Sequence, residues 1–470
     1  MENPKNLFVL GISCFYHDAS AALLKDGVIV AAAEEERFTR KKHDASFPIN
    51  AIQYCLKSQN ITIKDIDYIG FYEKPFLKFE RLLSQHLESF PLSFKTFLSS
   101  IPSWLNEKLR TPKIIKKKLK YNKDIFFIEH HLAHAASTFL VSPFDKAAIL
   151  TVDGVGEWTT TAFGIGENNN INLLKEIKFP HSIGLIYSTI TAYLGFKVNY
   201  HEYKVMGLAA YGDMNRETNV YYKKLKNIID IKEDGSYKLD MNYFIYHHAN
   251  KMPSKKLCKL LDGPIRKKNE EITKRHKDIA AAVQLLTEDV LLKILNYVYK
   301  ITNCENLVYS GGVGLNSVFN GKILKNTDFK KIWMQPNASD GGTSIGVASY
   351  IYYTILNNKR NYVQKDAYLG PEFSNEEIKA FLESNKIKYK QFKDKNELIN
   401  TTANLIYNNH VVGWFQGRME WGPRALGARS ILSNPCNKQM KDILNLKVKH
   451  REIFTPFAPV VCEDDALTYF

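Results

Sequence analysis

The 470-residue sequence lacks the long apolar segments that cross membranes. It contains no stretch of about 18 uncharged apolar residues, so we expect no transmembrane helix. The first residues, MENPKNLFVLGIS, have no basic stretch before a long apolar one, and they lead directly into a predicted strand. A secretory signal is therefore not expected, and the predicted location is the cytoplasm.

Cysteine is also scarce, with 6 residues in the chain and no C-x-x-C spacing. The scattered positions argue against a zinc ribbon or a disulfide framework and favour reduced thiols. The cysteines are Cys14, Cys55, Cys258, Cys304, Cys436 and Cys462.

Acidic residues are fewer than basic ones, 49 against 64, which gives a formal net charge of +15. An anionic partner, either phosphate metabolites or nucleic acid, would explain this excess. Lysine is spread along the chain, however, so a general preference for lysine is the favoured explanation. The densest cluster, residues 113–120, is compatible with an amphipathic surface helix.

What is present is a globular composition, 45% hydrophobic and 24% charged, in a chain long enough for two domains. One pattern occurs twice, in residues 7–36 and 147–177. Each copy has an apolar strand, a polar loop and two further strands joined by a turn, at Asp26-Gly27 and at Asn168–Asn170. This duplication predicts a two-lobed α/β domain with a cleft between the lobes.

Helical spacing of apolar residues predicts a helix over residues 278–300, and residues 307–309 read as a strand. The aromatic, lysine-rich segment 70–125 is interpreted as an insertion that covers one side of the cleft. Residues 356–375 are polar and resemble a linker.

A second domain is predicted to begin near residue 375, with a helix over 376–386 and a strand over 411–415. The sequence stops on CEDDALTYF, which resembles the start of a helix. We therefore expect the second domain to be cut short.

His130 and His134 share one face of a predicted helix over residues 129–140, because they are four residues apart. Imidazole pairs with this spacing bind divalent transition metals, and a carboxylate such as Asp153 can complete the site. His131 also pairs with His134, so spacing alone does not choose the ligands. A pair of capping or core histidines is the alternative.

Three glycine-rich loops follow probable strands, which is typical of backbone that approaches a phosphate closely. They are Asp153–Gly156, Ser310–Gly314 and Asp340–Ser344. Thr159 and Thr160 follow the first loop and could add hydroxyl donors. Each loop alone is a weak signal, because such turns are often only turns.

His17-Asp18 lies in the loop of the first strand pair. This dipeptide could position an acceptor hydroxyl or supply a general base. An Asx-type turn with a surface histidine is the alternative.

Arg418, Arg424 and Arg429 surround a glycine-punctuated loop, and Arg451 follows on a predicted helix. The guanidinium fork suits bidentate binding of phosphate, so an oxyanion site is the favoured interpretation.

Taken together, these motifs resemble the O-carbamoyltransferases of the nodulation-protein-U, cephem-carbamoyltransferase and tobramycin-carbamoyltransferase type. The similarity spans essentially the whole chain and is carried, in family order, by GISCFYHDASAALLKDG, EEERFTRKKHDASFP, EHHLAHAASTF, TVDGVGEWTTT, YKVMGLAAYG, YSGGVGLN, SDGGTSIG and GRMEWGPRALGARSIL.

The resemblance implies an actin-like (ASKHA) N-terminal domain over residues 1–360, with 70–125 as its insertion. It also implies a second, smaller α/β domain of the carbamoyl-adenylate-forming type, partial here, over residues 375–470. In the family, carbamoyl phosphate and ATP give carbamoyl-adenylate and pyrophosphate. The carbamoyl group then moves to an acceptor hydroxyl in the N-terminal domain.

The resemblance also implies roles for individual residues. His130, His134, Asp153 and Asp340 would bind a divalent metal, expected to be iron, with zinc and manganese as alternatives. The adenylate site would contain Lys204, Gly207, Gly311, Gly312, Asn316 and Gly341. His17, with Asp18, would face the acceptor, and Arg418, Arg424, Arg429 and Arg451 would bind carbamoyl phosphate and ATP.

One departure from the family is Thr455, which stands in FTPFAP where relatives commonly have arginine. We therefore expect one oxyanion ligand fewer at this position. The expected acceptor is a hydroxylated small metabolite or sugar, and the expected assembly is a homodimer without nucleic acid or membrane.

Two other functions remain open from the sequence. One is a truncated, non-catalytic protein that binds nucleotide and metal. The other is tRNA threonylcarbamoylation, which the fused second domain and the 70–125 insertion disfavour. A sugar kinase of the same fold would not need the paired histidines.

Overall fold

The computed structural model describes residues 6–469, which form two compact units. The first unit runs to Gly370 and includes Trp421–Pro423, and the second comprises Pro371–Glu420 and the residues from Arg424 onward. No helix within residues 6–469 is both long enough and apolar enough to span a bilayer.

The first unit contains two five-stranded sheets and a small two-stranded one. Its strands are β1 (Phe8–Ser13), β2 (Ser20–Lys25), β3 (Val28–Glu34), β4 (Tyr68–Phe71), β5 (Ile125–Phe127), β6 (Lys146–Val152), β7 (Thr159–Glu167), β8 (Asn170–Lys178), β9 (Ile229–Ile231), β10 (Tyr237–Leu239), β11 (Asn306–Ser310) and β12 (Lys331–Met334).

The two large sheets repeat one topology. The first has the order β3-β2-β1-β4-β5 and the second β12-β11-β6-β7-β8. In each sheet the first three strands are antiparallel neighbours, and the two later strands add in parallel. The predicted duplication is therefore confirmed, and the unit has the two-lobed α/β architecture of actin-like folds.

Local chemistry explains the first strand pairing. The turn after β2 places Asp26 and Gly27 at positive φ, 50° and 86°, which suits a tight hairpin. Asp26 also accepts a hydrogen bond from the backbone N–H of Leu7 at 2.8 Å. The same carboxylate thus shapes the turn and holds the chain that enters β1.

The helices of the first unit are α1 (Glu36–Thr39), α2 (Ile49–Lys57), α3 (Pro75–Glu88), α4 (Phe94–Asn106), α5 (Thr111–Leu119), α6 (His130–Phe139), α7 (Ile183–Tyr193), α8 (Glu202–Ala209), α9 (Val220–Lys226), α10 (Lys255–Leu260), α11 (Lys274–Thr302), α12 (Ser317–Asn320), α13 (Ile323–Asn326) and α14 (Thr343–Ser349). The predicted helices over 129–140 and 278–300 correspond to α6 and α11. The segment predicted to be an insertion, residues 70–125, carries α3, α4 and α5 between β4 and β5.

Helices α6 and α14 pack against each other, and α14 also packs on β1 and β2. Their backbones touch at Gly346, where a Cβ atom would lie 1.9 Å from the carbonyl oxygen of Ala133. Only glycine permits this approach. The contact brings the start of α14 beside the histidines of α6.

The second unit is smaller. It contains α15 (Asn375–Ser384), α16 (Lys395–Tyr407), β13 (Val412–Phe415), β14 (Arg429–Leu432), α17 (Met440–Ile443) and α18 (Ala466–Tyr469). Strands β13 and β14 pair antiparallel, and Ser374 caps α15 in a capping box with Glu377.

Candidate functional site

Helix α6 places His130 and His134 one turn apart, and both side chains are buried. Their Nε2 atoms lie 3.2 Å from each other. Nδ1 of His134 lies 3.2 Å from the hydroxyl of Ser310, which orients the ring and leaves Nε2 facing His130.

Two carboxylates complete this group from other parts of the chain. Asp153 follows β6, and Asp340 begins the 3₁₀ turn Asp340–Gly342 before α14. Nε2 of His130 lies 3.1 Å from Oδ2 of Asp153. Oδ1 of Asp340 lies 3.6 Å from Nε2 of His130 and 3.5 Å from Nε2 of His134.

The geometry of these four residues fits a metal ion. One ligand atom from each residue lies within 4.8 Å of the others. A tetrahedral ion with bonds of about 2.1 Å separates its ligands by about 3.4 Å, close to the distances observed. Within residues 6–469, neither carboxylate oxygen of the buried Asp340 has a hydrogen-bond partner. The group could therefore hold a metal, and an ion would satisfy these oxygens.

The charges of the group are strongly coupled. Burial would lower the pKa of His130, but the carboxylates of Asp340 and Asp153 outweigh burial and raise it to about 9. Although burial opposes ionisation, the bond to His130 holds the pKa of Asp153 well below its usual value. His17 and His130 likewise lower the pKa of Asp340 against the effect of burial.

His131 points away from this group. Its Nδ1 atom lies 2.8 Å from the hydroxyl of Thr151, and burial, followed by the charges of His130 and His134, lowers its pKa to about 3. The structure thus brings His130 and His134 together with Asp153 and Asp340, and it leaves His131 outside this group.

His17 lies beside the same group, in the loop between β1 and β2. Its Nε2 atom is 3.7 Å from Oδ2 of Asp340, and its Nδ1 atom is 3.0 Å from Oδ2 of Asp18. Burial alone would lower the pKa of His17, but Asp340 and Asp18 raise it well above 6.5. The dipeptide is therefore turned inward, rather than forming a turn with a surface histidine.

Two neighbours of Asp18 were not identified from the sequence. Nδ1 of His43 lies 2.6 Å from its Oδ1, and the hydroxyl of Ser339 donates to its Oδ2 at 3.2 Å. Both imidazole bonds hold the pKa of Asp18 far below its usual value, although burial acts in the opposite direction. His43 belongs to the motif EEERFTRKKHDASFP. This motif could therefore have pointed to His43, although the sequence analysis assigned it no role.

Glu157 was also missed. Its carboxylate accepts the backbone N–H of His130 at 3.1 Å and the backbone N–H of Lys74 at 2.7 Å. It thereby satisfies an N–H group of the first turn of α6, which no residue of the helix can reach. The only available signal was an acidic residue directly after Asp153–Gly156.

The glycine-rich loops meet the group through their backbones. Gly311 has φ +100°, and a Cβ atom there would lie 2.1 Å from the carbonyl oxygen of Val152. The N–H of Gly312 donates to Oδ1 of Asp153 at 2.9 Å, and the hydroxyl of Ser20 donates to the carbonyl oxygen of Gly341 at 2.7 Å. These three predicted nucleotide residues lie next to the candidate metal ligands.

The other predicted nucleotide residues lie on a helix or at the start of one in the first unit. Lys204 and Gly207 are on α8, and the ammonium group of the buried Lys204 is 5.7 Å from the ring centre of Phe196. The side chain of Asn316 bonds to Gln284 at 2.9 Å and caps α12. Asn316 thus has a structural role in addition to any contact with a ligand.

The prediction that Thr159 and Thr160 offer hydroxyl donors to a phosphate is wrong. Thr159 donates to the carboxylate of Glu176, and Thr160 donates to the carbonyl oxygen of His181 at 2.6 Å. Successive residues of β7 point to opposite faces of the strand, so these two hydroxyls do not face one ligand together.

The predicted arginines lie in the second unit. Nε of Arg429 donates to Oε2 of Glu420 at 3.1 Å, and Nε of Arg451 donates to Asn445 at 2.7 Å. Arg424 is exposed and Arg418 is half-buried. Thr455, which replaces a family arginine, is buried.

Glu420 organises the loop that follows it. This buried carboxylate accepts the N–H groups of Leu426 at 2.7 Å and Ala428 at 2.8 Å, in addition to the guanidinium of Arg429. Burial would raise its pKa, but the backbone hydrogen bonds lower it overall. The loop around Arg429 is therefore shaped by a carboxylate that stays ionised.

Comparison with known proteins decides the family. The sequence matches the model for the carbamoyltransferase N-terminus over residues 8–349 and the model for the carbamoyltransferase C-terminus over residues 403–470. The chain belongs to the carbamoyltransferase family. This confirms the resemblance stated above, and carbamoyl transfer is the reaction class that the membership supports.

Two relatives of this carbamoyltransferase are similar to it over almost its whole length. An uncharacterised protein of Synechocystis sp. is 47% identical over 98% of this chain and 77% of its own length. Nodulation protein NolNO of Sinorhizobium fredii is 33% identical over 97% of this chain and 64% of its own length. The chain thus spans less than two thirds of NolNO.

Among solved structures, component A of (R)-2-hydroxyglutaryl-CoA dehydratase from Acidaminococcus fermentans is 12% identical, with a TM-score of 0.38. The match covers 74% of this chain and 99% of that chain.

Proposed function

We propose that this carbamoyltransferase activates carbamoyl phosphate with ATP and transfers the carbamoyl group to a hydroxyl of a small metabolite or sugar. Carbamoyl phosphate first loses phosphate to water. An oxygen of the resulting carbamate attacks the α-phosphorus of ATP, and pyrophosphate leaves. The acceptor oxygen then attacks the carbamoyl carbon, the bond from this carbon to the phosphate oxygen breaks, and AMP leaves.

The observation that carries the proposal is the buried group of His130, His134, Asp153 and Asp340 in a chain of this family. We propose that it binds a divalent metal, iron, with zinc and manganese as the alternatives. Imidazole and carboxylate ligands suit all three metals. A metal at this position supplies Lewis-acid stabilisation of charge on a phosphate or carbonyl oxygen.

His17 is the proposed general base. In this role its Nε2 atom accepts the proton of the acceptor hydroxyl, while Asp18 holds Nδ1 and fixes the tautomer. Asp340 raises the pKa of His17, so a cation beside Asp340 would offset this effect and favour the neutral imidazole. General base catalysis of this kind contributes about 10²- to 10⁴-fold in rate.

Binding of the nucleotide is proposed for residues in both units. We assign the adenylate site to Lys204, Gly207, Gly311, Gly312, Asn316 and Gly341. Carbamoyl phosphate and ATP are assigned to Arg418, Arg424, Arg429 and Arg451, because a guanidinium fork matches phosphate oxygens. The loop that Glu420 shapes supports this assignment, since it presents Arg429 on an ordered backbone.

The test compares the wild-type protein with His130→Ala and with the exposed control His410→Ala. We expect His130→Ala to lose bound metal and carbamoyl transfer while pyrophosphate release from ATP and carbamoyl phosphate persists. His410→Ala is expected to retain all three. Should His130→Ala be insoluble, Asp340→Asn tests the same group with nearly unchanged volume.

Two results contradict the proposal. Unchanged metal content in both His130→Ala and Asp340→Asn would show that the ion is bound elsewhere. No release of pyrophosphate by the wild-type protein would show that this chain does not form the adenylate.

A further inference from the structure

Arg81, on α3, is a buried cation without an anionic partner. Its side chain is 8% exposed, and among residues 6–469 no carboxylate lies within 4.0 Å of its guanidinium. Its hydrogen bond goes from Nη1 to the carbonyl oxygen of Gly156 at 3.2 Å, and its buried Nε has no partner in the part of the chain that the structure describes. The guanidinium also lies 5.1 Å from the ring centre of Phe179, an aromatic contact that offsets part of the cost of burying the charge. Without an anion beside it, a buried charge is still unfavourable, so proteins normally pair it.

The two carboxylates that influence the charge of Arg81 already have other hydrogen-bond or ion-pair partners. Burial lowers the pKa of Arg81, and Tyr16, Glu73 and Glu157 oppose this effect in that order. Glu73 pairs with the buried Lys78, one turn before Arg81 on the same helix. Glu157 accepts backbone N–H groups of Lys74 and His130, and burial raises its pKa. Neither carboxylate therefore completes the coordination of Arg81.

Arg81 borders the candidate site. Gly156, which accepts its hydrogen bond, lies so close to His130 that a Cβ atom would be 2.9 Å from the imidazole. One turn earlier, the Lys78 ammonium lies 4.9 Å from the ring centre of Tyr16, which precedes His17. Tyr16 is 39% exposed, so solvent reaches this edge of the site.

On the basis of the proposed function, we propose that Arg81 binds an oxyanion, a carboxylate or phosphate group, carried by the acceptor. The acceptor is then an anionic hydroxyl compound rather than a neutral sugar. Nη1 already donates to Gly156, but Nε and Nη2 on the other edge of the guanidinium can offer two parallel N–H donors to such a group.

The acceptor, rather than the nucleotide, is the source of this oxyanion. The proposed adenylate residues lie on α8, after β11 and before α14, whereas Arg81 lies on a helix between β4 and β5. The same helix contacts the ring next to His17, the proposed base for the acceptor hydroxyl. An acceptor whose anionic group is bound by Arg81 would therefore place its hydroxyl near His17.

The first test measures binding without turnover. We compare the melting temperature of wild-type protein in inorganic phosphate and in chloride at equal ionic strength, with Arg81→Gln, Arg81→Lys and the exposed control Arg110→Gln. A ligand that binds the folded state raises the melting temperature. We expect phosphate to raise it in the wild type and in Arg110→Gln, less in Arg81→Lys, and least in Arg81→Gln. An equal phosphate effect in all four proteins overturns the proposal.

The second test measures transfer to matched acceptors: glycerol, glycerol 3-phosphate and glycerate, and glucose, glucose 6-phosphate and glucuronate. We expect wild-type protein to prefer anionic members, and Arg81→Gln to lose this preference through a rise in KM of about 10- to 100-fold. A comparison of the phosphorylated acceptors with the carboxylated ones then identifies which oxyanion Arg81 binds.

Release of pyrophosphate is measured in the same samples, because this half-reaction does not use the acceptor. If wild-type protein releases pyrophosphate but transfers equally well to neutral and anionic acceptors, the role proposed for Arg81 is contradicted and the proposed function is not. Wild-type protein that releases no pyrophosphate contradicts the proposed function, and the melting experiment then still decides whether Arg81 binds an oxyanion.

Discussion

Nδ1 of His43 lies 2.6 Å from one oxygen of Asp18, whose other oxygen lies 3.0 Å from Nδ1 of His17. The carboxylate thus links two imidazoles, and only one of them faces Asp340. We therefore expect His43 to act through Asp18 and to restrain the ring of His17.

We expect His43→Ala to lower kcat for transfer by about 10- to 100-fold. Without His43, Asp18 and the ring of His17 are less restrained, so the proposed base spends less time aligned with the acceptor. Metal content and pyrophosphate release should not change. His43→Asn should recover part of the rate, since its amide can donate from nearly the position of Nδ1. If both variants lose metal, His43 instead supports the fold of the site.

A metal bound by His130, His134, Asp153 and Asp340 should stabilise the folded protein. At a metal concentration 100 times the dissociation constant, binding adds about 2.7 kcal/mol to the free energy of unfolding. We therefore expect a chelator to lower the melting temperature of the wild-type protein and added metal to restore it. Asp340→Asn should show neither change, and a restored melting temperature in that variant would argue against Asp340 as a ligand.

Glu157 should control the position of His130. Removal of its carboxylate in Glu157→Ala leaves the N–H groups of His130 and Lys74 without their acceptor, which costs about 1–3 kcal/mol of stability for each buried donor. We expect a lower melting temperature and weaker metal binding. Glu157→Gln keeps one acceptor oxygen and should show a smaller loss of both. Equal losses in the two variants would mean that charge, rather than hydrogen bonding, is what matters.

Acid should destabilise the protein partly through His276, in the capping box of α11. Its Nδ1 atom lies 3.1 Å from the backbone nitrogen of Thr273, and burial, with the charges of Arg275 and Arg266, lowers its pKa to about 4. In the unfolded chain the imidazole has a pKa near 6.5, so the unfolded state binds a proton first as the pH falls. The stability that neutral His276 contributes is present above about pH 6.5 and is lost towards pH 4.

We expect His276→Gln to reduce the fall in melting temperature between pH 7 and pH 4, because glutamine can keep the capping contact without titrating. Its melting temperature at pH 7 should remain close to that of the wild type. An unchanged pH profile would show that other buried groups cause the acid sensitivity.

Much of the fold could be predicted because it depends on local patterns. The two strand triplets were visible as apolar runs interrupted by Asp26-Gly27 and by Asn168–Asn170. Helix α11 was visible from the spacing of its apolar residues, although its ends extend to Lys274 and Thr302. Periodicity and turn chemistry are properties of short segments, so they can be read without knowledge of tertiary contacts.

The candidate site was predictable only in part. Spacing placed His130 and His134 on one face, but it could not exclude His131, whose partner Thr151 lies on a strand 20 residues away. Glu157 accepts backbone N–H groups, and His43 lies 2.6 Å from a carboxylate 25 residues earlier in the chain. Contacts of this kind leave no periodic trace in the sequence, so only the structure reveals them.

The close contact at Gly346 has a consequence for the rigidity of the candidate metal site. Since the backbones of α6 and α14 meet there without an intervening side chain, the helix that carries His134 packs directly on the helix that follows Asp340. We therefore expect His134 and Asp340 to keep their relative positions when a ligand binds or leaves.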